Sequence, residues 1–150
     1  MTDPHVLGRL IVGMSDVFDV MDAATIDAWD GLTGLQIQLL RVVATDMRVD
    51  RGSLAVWTRT SRAALVPSLA ALLHRGVLVE ETDGIGPRLV VAPAGRQLLA
   101  AVLVARAGWL REAASAVGPV ADEEELRRTA ELMEQLAATT TQGESGPDAS

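Results

Sequence analysis

Cysteine is absent from this chain of 150 residues, and all thirteen of its basic residues are arginine rather than lysine. Without cysteine, the protein has no disulfide, no thiolate ligand for a metal and no thiol redox switch. No apolar run reaches the roughly 18 to 20 residues that a membrane span requires. The first residues, MTDPHVLGR, lack the basic and apolar regions of a secretory signal. We therefore expect a cytoplasmic protein with no membrane partner.

Histidine, which often serves in catalysis and metal binding, is also scarce. The two histidines, His5 and His74, are far apart in the sequence, and no metal-ligand spacing or nucleophile–base constellation accompanies them. The acidic run from Glu123 to Glu125 follows Asp122 at the start of a helical segment, where the helix dipole favours carboxylates. We therefore expect no catalytic residue, no metal site and no cofactor.

The net charge of −7 is distributed unevenly along the chain. Residues 1–30 hold six acids and one arginine, and residues 121–150 hold eight acids and two arginines. Residues 31–120 hold ten arginines and six acids, so this central segment is positive. A positive segment between two acidic ends is where an anionic partner such as nucleic acid would bind.

The central segment contains the pattern of a helix, a turn, a second helix and a β-hairpin. Ser61 is suited to cap the second helix, whose leucines recur at helical spacing until Gly76 ends it. Two β-prone runs, Val77–Val79 and Leu89–Val91, flank a Gly-Pro turn. This order predicts a winged helix-turn-helix over about residues 32–92, a fold that usually places its second helix in the major groove of DNA.

Amphipathic helices are predicted on both sides of the winged helix. The first covers about residues 4–29, and two more cover about residues 93–138. Their apolar faces exceed what a small winged helix can cover, so we predict that they pair with a second copy of the chain in a twofold homodimer.

The predicted fold class is mainly α with a small β-hairpin wing (α+β). One domain is expected over residues 1–138, and the polar, Gly/Ser-rich tail at residues 139–150 is expected to be disordered.

In its motifs the chain resembles the MarR (multiple antibiotic resistance regulator) family of winged helix-turn-helix transcriptional regulators. The family's LT-x-x-Q opening of its second helix is matched by Leu32-Thr33 and Gln36. Its LA, SR, L, RG and LV pattern is matched at the same spacing by Leu54-Ala55, Ser61-Arg62, Leu72, Arg75-Gly76 and Leu78-Val79. The dipeptide Gly95-Arg96 is similar to the one that begins the family's dimerising helix.

The resemblance implies a dimeric repressor that reads a pseudo-palindromic operator in double-stranded DNA and is released by a small aromatic or apolar ligand. The recognition helix would cover about residues 61–75. The DNA-binding residues would be Arg51, Arg59, Ser61, Arg62, Ala63, Ala64, Ser68 and Arg88. A cavity for a flat apolar ligand would be lined by Phe18, Met21, Trp29, Leu32 and Trp109.

Two departures from the family pattern favour an alternative. The wing carries Glu80, Glu81 and Asp83 against one arginine, and the recognition helix contains Pro67. Since an interior proline removes a backbone hydrogen bond, the helix would either kink at Pro67 or begin there. The alternative is a MarR-like scaffold with weakened or lost DNA binding that binds a small apolar ligand or carries a co-opted enzymatic activity in its dimer cavity.

Overall fold

A computed structural model describes residues 1–45 and 47–142, with side chains as far as residue 139. The elements are α1 Pro4–Ala24, a 3-10 helix Ile26–Trp29, α2 Gly34–Val43, α3 Arg51–Trp57, α4 Arg62–His74, β1 Leu78–Thr82, β2 Pro87–Val91, α5 Pro93–Val117, a second 3-10 helix Pro119–Ala121 and α6 Glu123–Gln142. In this part of the chain, no helix has both the length and the apolar character needed to cross a membrane. The fold is therefore mainly α with one two-stranded antiparallel sheet, as the sequence predicts.

The chain divides into two compact units, residues 1–109 and residues from 110 onward. The first contains the hydrophobic core, in which the side chains with almost no exposure are Leu39, Leu40, Val49, Leu54, Leu72 and Leu78. The second contains the end of α5 and α6, which Asp122 caps by accepting a hydrogen bond from the Glu125 amide at 2.9 Å. The single domain expected over residues 1–138 remains a prediction.

The first helix is shorter than the sequence predicts. It ends at Ala24 rather than near residue 28, because Thr25 leaves the helical conformation and donates its hydroxyl proton to the Met21 carbonyl at 2.8 Å. A 3-10 turn follows, and left-handed backbone at Asp30 and Gly31 then redirects the chain. The redirection leaves Trp29 only 3% exposed, in the core rather than at the end of a long helix.

Both predicted caps of the winged helix are present. The Thr33 hydroxyl accepts from the Gln36 amide at 3.3 Å, and the Gln36 side chain accepts from the Thr33 amide at 2.9 Å, which forms a capping box. The Ser61 hydroxyl accepts from the Ala64 amide at 3.2 Å, so α4 begins at Arg62. Pro67 therefore lies inside a continuous helix, and the alternative in which the helix begins at Pro67 is wrong.

The wing and the last helix are longer than the sequence predicts. The strands pair from Leu78↔Val91 to Thr82↔Pro87. The polar residues Glu80 to Thr82 belong to β1 because they pair with Pro87 to Leu89 on the opposite strand. Val49 adds a bridge to this sheet, where its carbonyl accepts from the Leu89 amide at 2.7 Å. The helix expected to end near Ala138 extends to Gln142, so the first four residues of the predicted tail are helical. Residues 143–150 of that tail lie outside the described residues.

Candidate nucleic-acid interface

The turn between α3 and α4 sets the position of α4, the predicted recognition helix. At the start of α3, Asp50 and Ser53 cap each other's backbone amides at 2.7 and 2.8 Å. At its end, the buried Thr58 donates its hydroxyl proton to the Leu54 carbonyl at 2.7 Å. Arg59 then adopts left-handed backbone, with a φ of 52°. That conformation costs a non-glycine residue about 1–2 kcal/mol, and it leaves the Arg59 side chain exposed.

The outer side of α4 is exposed and largely apolar. Leu65, Leu69 and Leu72 anchor the helix in the core. The predicted contact residues Ser61, Arg62, Ala63 and Ala64 are all exposed at its first turn, whereas Ser68 is half-buried at its side. The first four are therefore accessible to a partner, although Ser61 already uses its hydroxyl as the helix cap. Their contact with DNA remains a prediction.

The wing tip is held by an arginine that sequence reasoning did not select. Arg48 Nη2 donates to Asp83 Oδ1 at 2.9 Å and to the Gly86 carbonyl at 3.0 Å. Asp83 Oδ1 also accepts from the amides of Ile85 and Gly86. The Arg48 guanidinium and these amides hold the pKa of Asp83 well below its ordinary value. No local pattern indicates this contact, since the two residues are 35 positions apart.

Two of the predicted DNA-binding arginines are ion-paired to the wing. Arg51 Nε lies 2.8 Å from Glu80 Oε2. Arg88 lies opposite Glu81 in the hairpin, with its Nη2 3.3 Å from Glu81 Oε2. Its Nε lies 3.8 Å from Asp83 Oδ2. Together with Arg48, these pairs set three arginines against the three wing acids, so the wing presents little unbalanced positive charge.

The other two predicted DNA-binding arginines, Arg59 and Arg62, are not paired with the wing acids. Within the described residues, neither Arg59 nor Arg62 makes an ion pair. The Arg62 guanidinium lies beside Gly52 of α3, where a Cβ atom would stand 3.0 Å from its Nη2. The α3–α4 turn and the first turn of α4 therefore present two exposed guanidinium groups that form no ion pair in the described part of the chain. The Asp50 carboxylate lies near the Arg62 guanidinium without pairing with it, since its Oδ1 would stand 3.3 Å from the same Cβ atom at Gly52.

The predicted ligand residues are dispersed over several environments. Trp29 and Leu32 are buried in the core, Met21 and Trp109 are half-buried, and Phe18 is 55% exposed. Arg106 lies over the Trp29 ring, 5.5 Å from its centroid, and pairs with Asp22 at 2.6 Å. A ligand cavity built from these residues between two protomers remains a prediction.

A cavity of about 460 Å³ lies elsewhere, between the end of α2, strand β2 and the start of α5. Its walls combine apolar side chains such as Val43 and Leu99 with three arginines, Arg48, Arg88 and Arg96. Arg96 Nη1 donates to the Val91 carbonyl at 2.8 Å, so each of the three arginines already has a partner on the protein. In the described part of the chain, no group of His, Cys, Asp or Glu side chains is arranged to hold a metal ion.

No family model matches the sequence, and no curated protein matches it. Solved structures do match the fold. A transcriptional regulator from Thermotoga maritima is 14% identical with a TM-score of 0.72, over 93% of this chain and 99% of that one. A MarR family protein from Bacillus stearothermophilus is 12% identical with a TM-score of 0.67, over 94% and 99%. The multiple antibiotic-resistance repressor from Listeria monocytogenes is 14% identical with a TM-score of 0.65, over 94% and 98%. The chain therefore has a MarR-like winged-helix fold.

Proposed function

We propose that this protein is a dimeric, DNA-binding transcriptional regulator that places α4 in the major groove. The observation that carries the proposal is the pair of exposed arginines without acid partners, Arg59 and Arg62, at the N-terminal end of α4. In a helix-turn-helix, this end of the recognition helix contacts the bases while the preceding turn lies near the phosphates.

The number of free arginines sets the expected strength of the electrostatic contact. If Arg59 and Arg62 of both protomers each neutralise one phosphate, the slope of log affinity against log salt is about −3.6, since each contact contributes about −0.9. Affinity then falls about 150-fold between 50 and 200 mM salt. If Arg51 and Arg88 also left their wing acids for phosphates, eight contacts would double the slope to about −7.

The dimer is proposed from the apolar stripe of α1, which has no buried residue. Six large side chains of the stripe are each 36–61% exposed: Leu7, Leu10, Ile11, Met14, Val17 and Phe18. Covering the exposed half of such a side chain contributes about 1 kcal/mol, so two protomers would gain roughly 12 kcal/mol from this stripe. That gain is comparable to the cost of association, about 4–15 kcal/mol, and exposed apolar residues of α5 and α6 add to it.

Substitution of neighbouring residues on α1 tests the dimer. Ile11→Asp places a charge in the stripe and should convert the protein to a monomer in light scattering at micromolar concentration. Val12 is equally exposed, at 59% against 61% for Ile11, but lies about 100° away around the helix. Val12→Asp is therefore the matched control and should leave the dimer intact. A dimer that survives Ile11→Asp would exclude the stripe as the interface.

Fluorescence anisotropy tests DNA binding. The duplexes are those that flank the protein's own coding sequence, at 50 and 200 mM salt. Arg62→Ala should reduce the affinity and lower the salt slope by about 2 per dimer. Arg111→Ala removes the same charge from an exposed site on α5 and should leave the slope unchanged. Absence of binding at 50 mM salt would contradict the proposal.

The regulator is further proposed to be a repressor that a small aromatic or apolar ligand releases from DNA. The alternative is a ligand-binding protein with weakened DNA binding, and the ion-paired wing favours it. Candidate aromatic ligands in the same anisotropy experiment separate the two. Release of bound DNA supports the repressor, whereas ligand binding by calorimetry without DNA binding supports the alternative.

A further inference from the structure

Between Arg62 at its start and His74 at its end, the outer side of α4 lacks the polar side chains that most recognition helices use to read bases. Ala63, Val66, Pro67 and Ala70 form its exposed face, which we call the apolar face, and Val66 is 58% exposed. None of these side chains has a hydrogen-bond donor or acceptor, and proline also lacks a backbone N–H. The face therefore presents only methyl and methylene groups to whatever it contacts.

Base edges in the major groove differ in how well they complement such a face. All four bases present hydrogen-bonding groups there, and thymine alone also presents a C5 methyl group. A donor or acceptor that is covered by an apolar side chain loses its water without gaining a partner, which is unfavourable. A thymine methyl, in contrast, gains an apolar contact.

We infer that the operator half-site places thymines against the apolar face, so that methyl contacts rather than hydrogen bonds supply most of the base discrimination. The inference rests on the proposed function. DNA is the favoured occupant of this face because the unpaired Arg59 and Arg62 adjoin it, which complements a phosphate backbone.

The test begins with selection of bound duplexes from a random pool, followed by replacement of single thymines by deoxyuridine. Deoxyuridine keeps every hydrogen-bonding group of thymine and removes only the methyl. Each methyl that contacts the protein should cost about fourfold in affinity, and about 15-fold when it is removed from both half-sites. Replacing cytosine by 5-methylcytosine outside the half-site serves as a control for methyl groups as such.

A protein variant ties the effect to the apolar face. Val66→Ala removes two methyl groups at an exposed helical site, and alanine is a better helix former than valine, so the helix should fold. The variant should reduce the difference in affinity between duplexes with thymine and duplexes with deoxyuridine at one position of the half-site. Val120→Ala removes the same groups from a valine that is 79% exposed outside the winged helix and should preserve the difference.

The outcomes separate this inference from the proposed function. Duplexes that bind equally well with thymine and deoxyuridine overturn the methyl readout and leave the regulator proposal standing. Failure to select any duplex at 50 mM salt overturns both. A change in the oligomeric state of the DNA-free protein on Val66→Ala would assign the face to a second copy of the chain, which also overturns the inference.

Discussion

Gly95 provides the sharpest test of how the wing joins α5. It lies buried in the first turn of α5. A Cβ atom added there would stand 2.2 Å from the Val77 carbonyl oxygen and 2.8 Å from Val91 Cγ1. The same carbonyl accepts a hydrogen bond from the Ala92 amide at 3.0 Å. Close packing of α5 on the sheet therefore depends on the absence of a side chain at residue 95.

The cost of Gly95→Ala follows from these distances. A carbon atom ordinarily lies about 3.3 Å or more from a carbonyl oxygen, so α5 would have to move by about 1 Å. Forced movements of this kind cost about 1–3 kcal/mol. Loss of the Ala92 hydrogen bond would add about 1 kcal/mol, and the helix preference of alanine returns at most about 1 kcal/mol. The net expectation is a loss of about 2 kcal/mol in the free energy of unfolding.

Urea denaturation, followed by tryptophan fluorescence at fixed protein concentration, measures this loss. With a slope of about 2 kcal/mol per molar urea, the midpoint should fall by about 1 M. Gly34→Ala is the matched control, because a Cβ atom at this exposed first residue of α2 meets nothing within 4 Å. It should change stability by less than about 0.5 kcal/mol. If Gly95→Ala proved as stable as wild type, the close approach of α5 to the Val77 carbonyl and to Val91 would be refuted.

Two further predictions concern the turn and the wing. Arg59→Gly should raise the free energy of unfolding by about 1 kcal/mol, since glycine adopts a φ of 52° without strain, while DNA affinity falls. Arg48→Ala should raise the pKa of Asp83 toward its ordinary 3.8 in an NMR titration of the carboxyl group. A depressed pKa stabilises the folded state above the unfolded value, so the stability difference between wild type and Arg48→Ala should shrink as pH falls below about 4.

Each of these predictions has its own control. Thr60→Gly changes the neighbouring residue, whose φ is not positive, and should destabilise rather than stabilise. Arg51→Ala removes an arginine of α3 that pairs with Glu80 of the wing rather than with Asp83, and should leave the pKa of Asp83 low. A pKa of Asp83 that stays equally low without Arg48 would assign the effect to the backbone amides and to Arg88, whose Nε lies 3.8 Å from Asp83 Oδ2.

Local signals in the sequence were sufficient for most of the winged helix. The hydroxyl groups of Thr33 and Ser61 accept hydrogen bonds from amides three residues later in the chain. Because these contacts are local, the starts of the two helices are predictable from the sequence. Where a boundary depended on distant packing, the prediction was wrong. The end of α1 is an example, since Trp29 enters the core through a backbone reversal at Asp30 and Gly31 that no periodicity shows.

The ion pairs of the candidate interface could not be predicted from the sequence. The acid partners of Arg51 and Arg88 lie 29 and 7 residues away, and a count of charges cannot pair them. Arg48 was missed for the same reason, since its partners on the wing tip become neighbours only when the hairpin folds.

Formal charge therefore overstates the cationic surface available to DNA. Of the ten arginines in residues 31–120, six bind acids or carbonyl groups of the protein: Arg48, Arg51, Arg75, Arg88, Arg96 and Arg106. Among the others, only Arg59 and Arg62 lie at the α3–α4 turn and the start of α4. The proposed phosphate contacts are thereby concentrated beside the apolar face. We therefore expect a salt slope near −3.6 rather than −7. Arginines that stay paired with wing acids contact no phosphate and so release no counterions from the DNA.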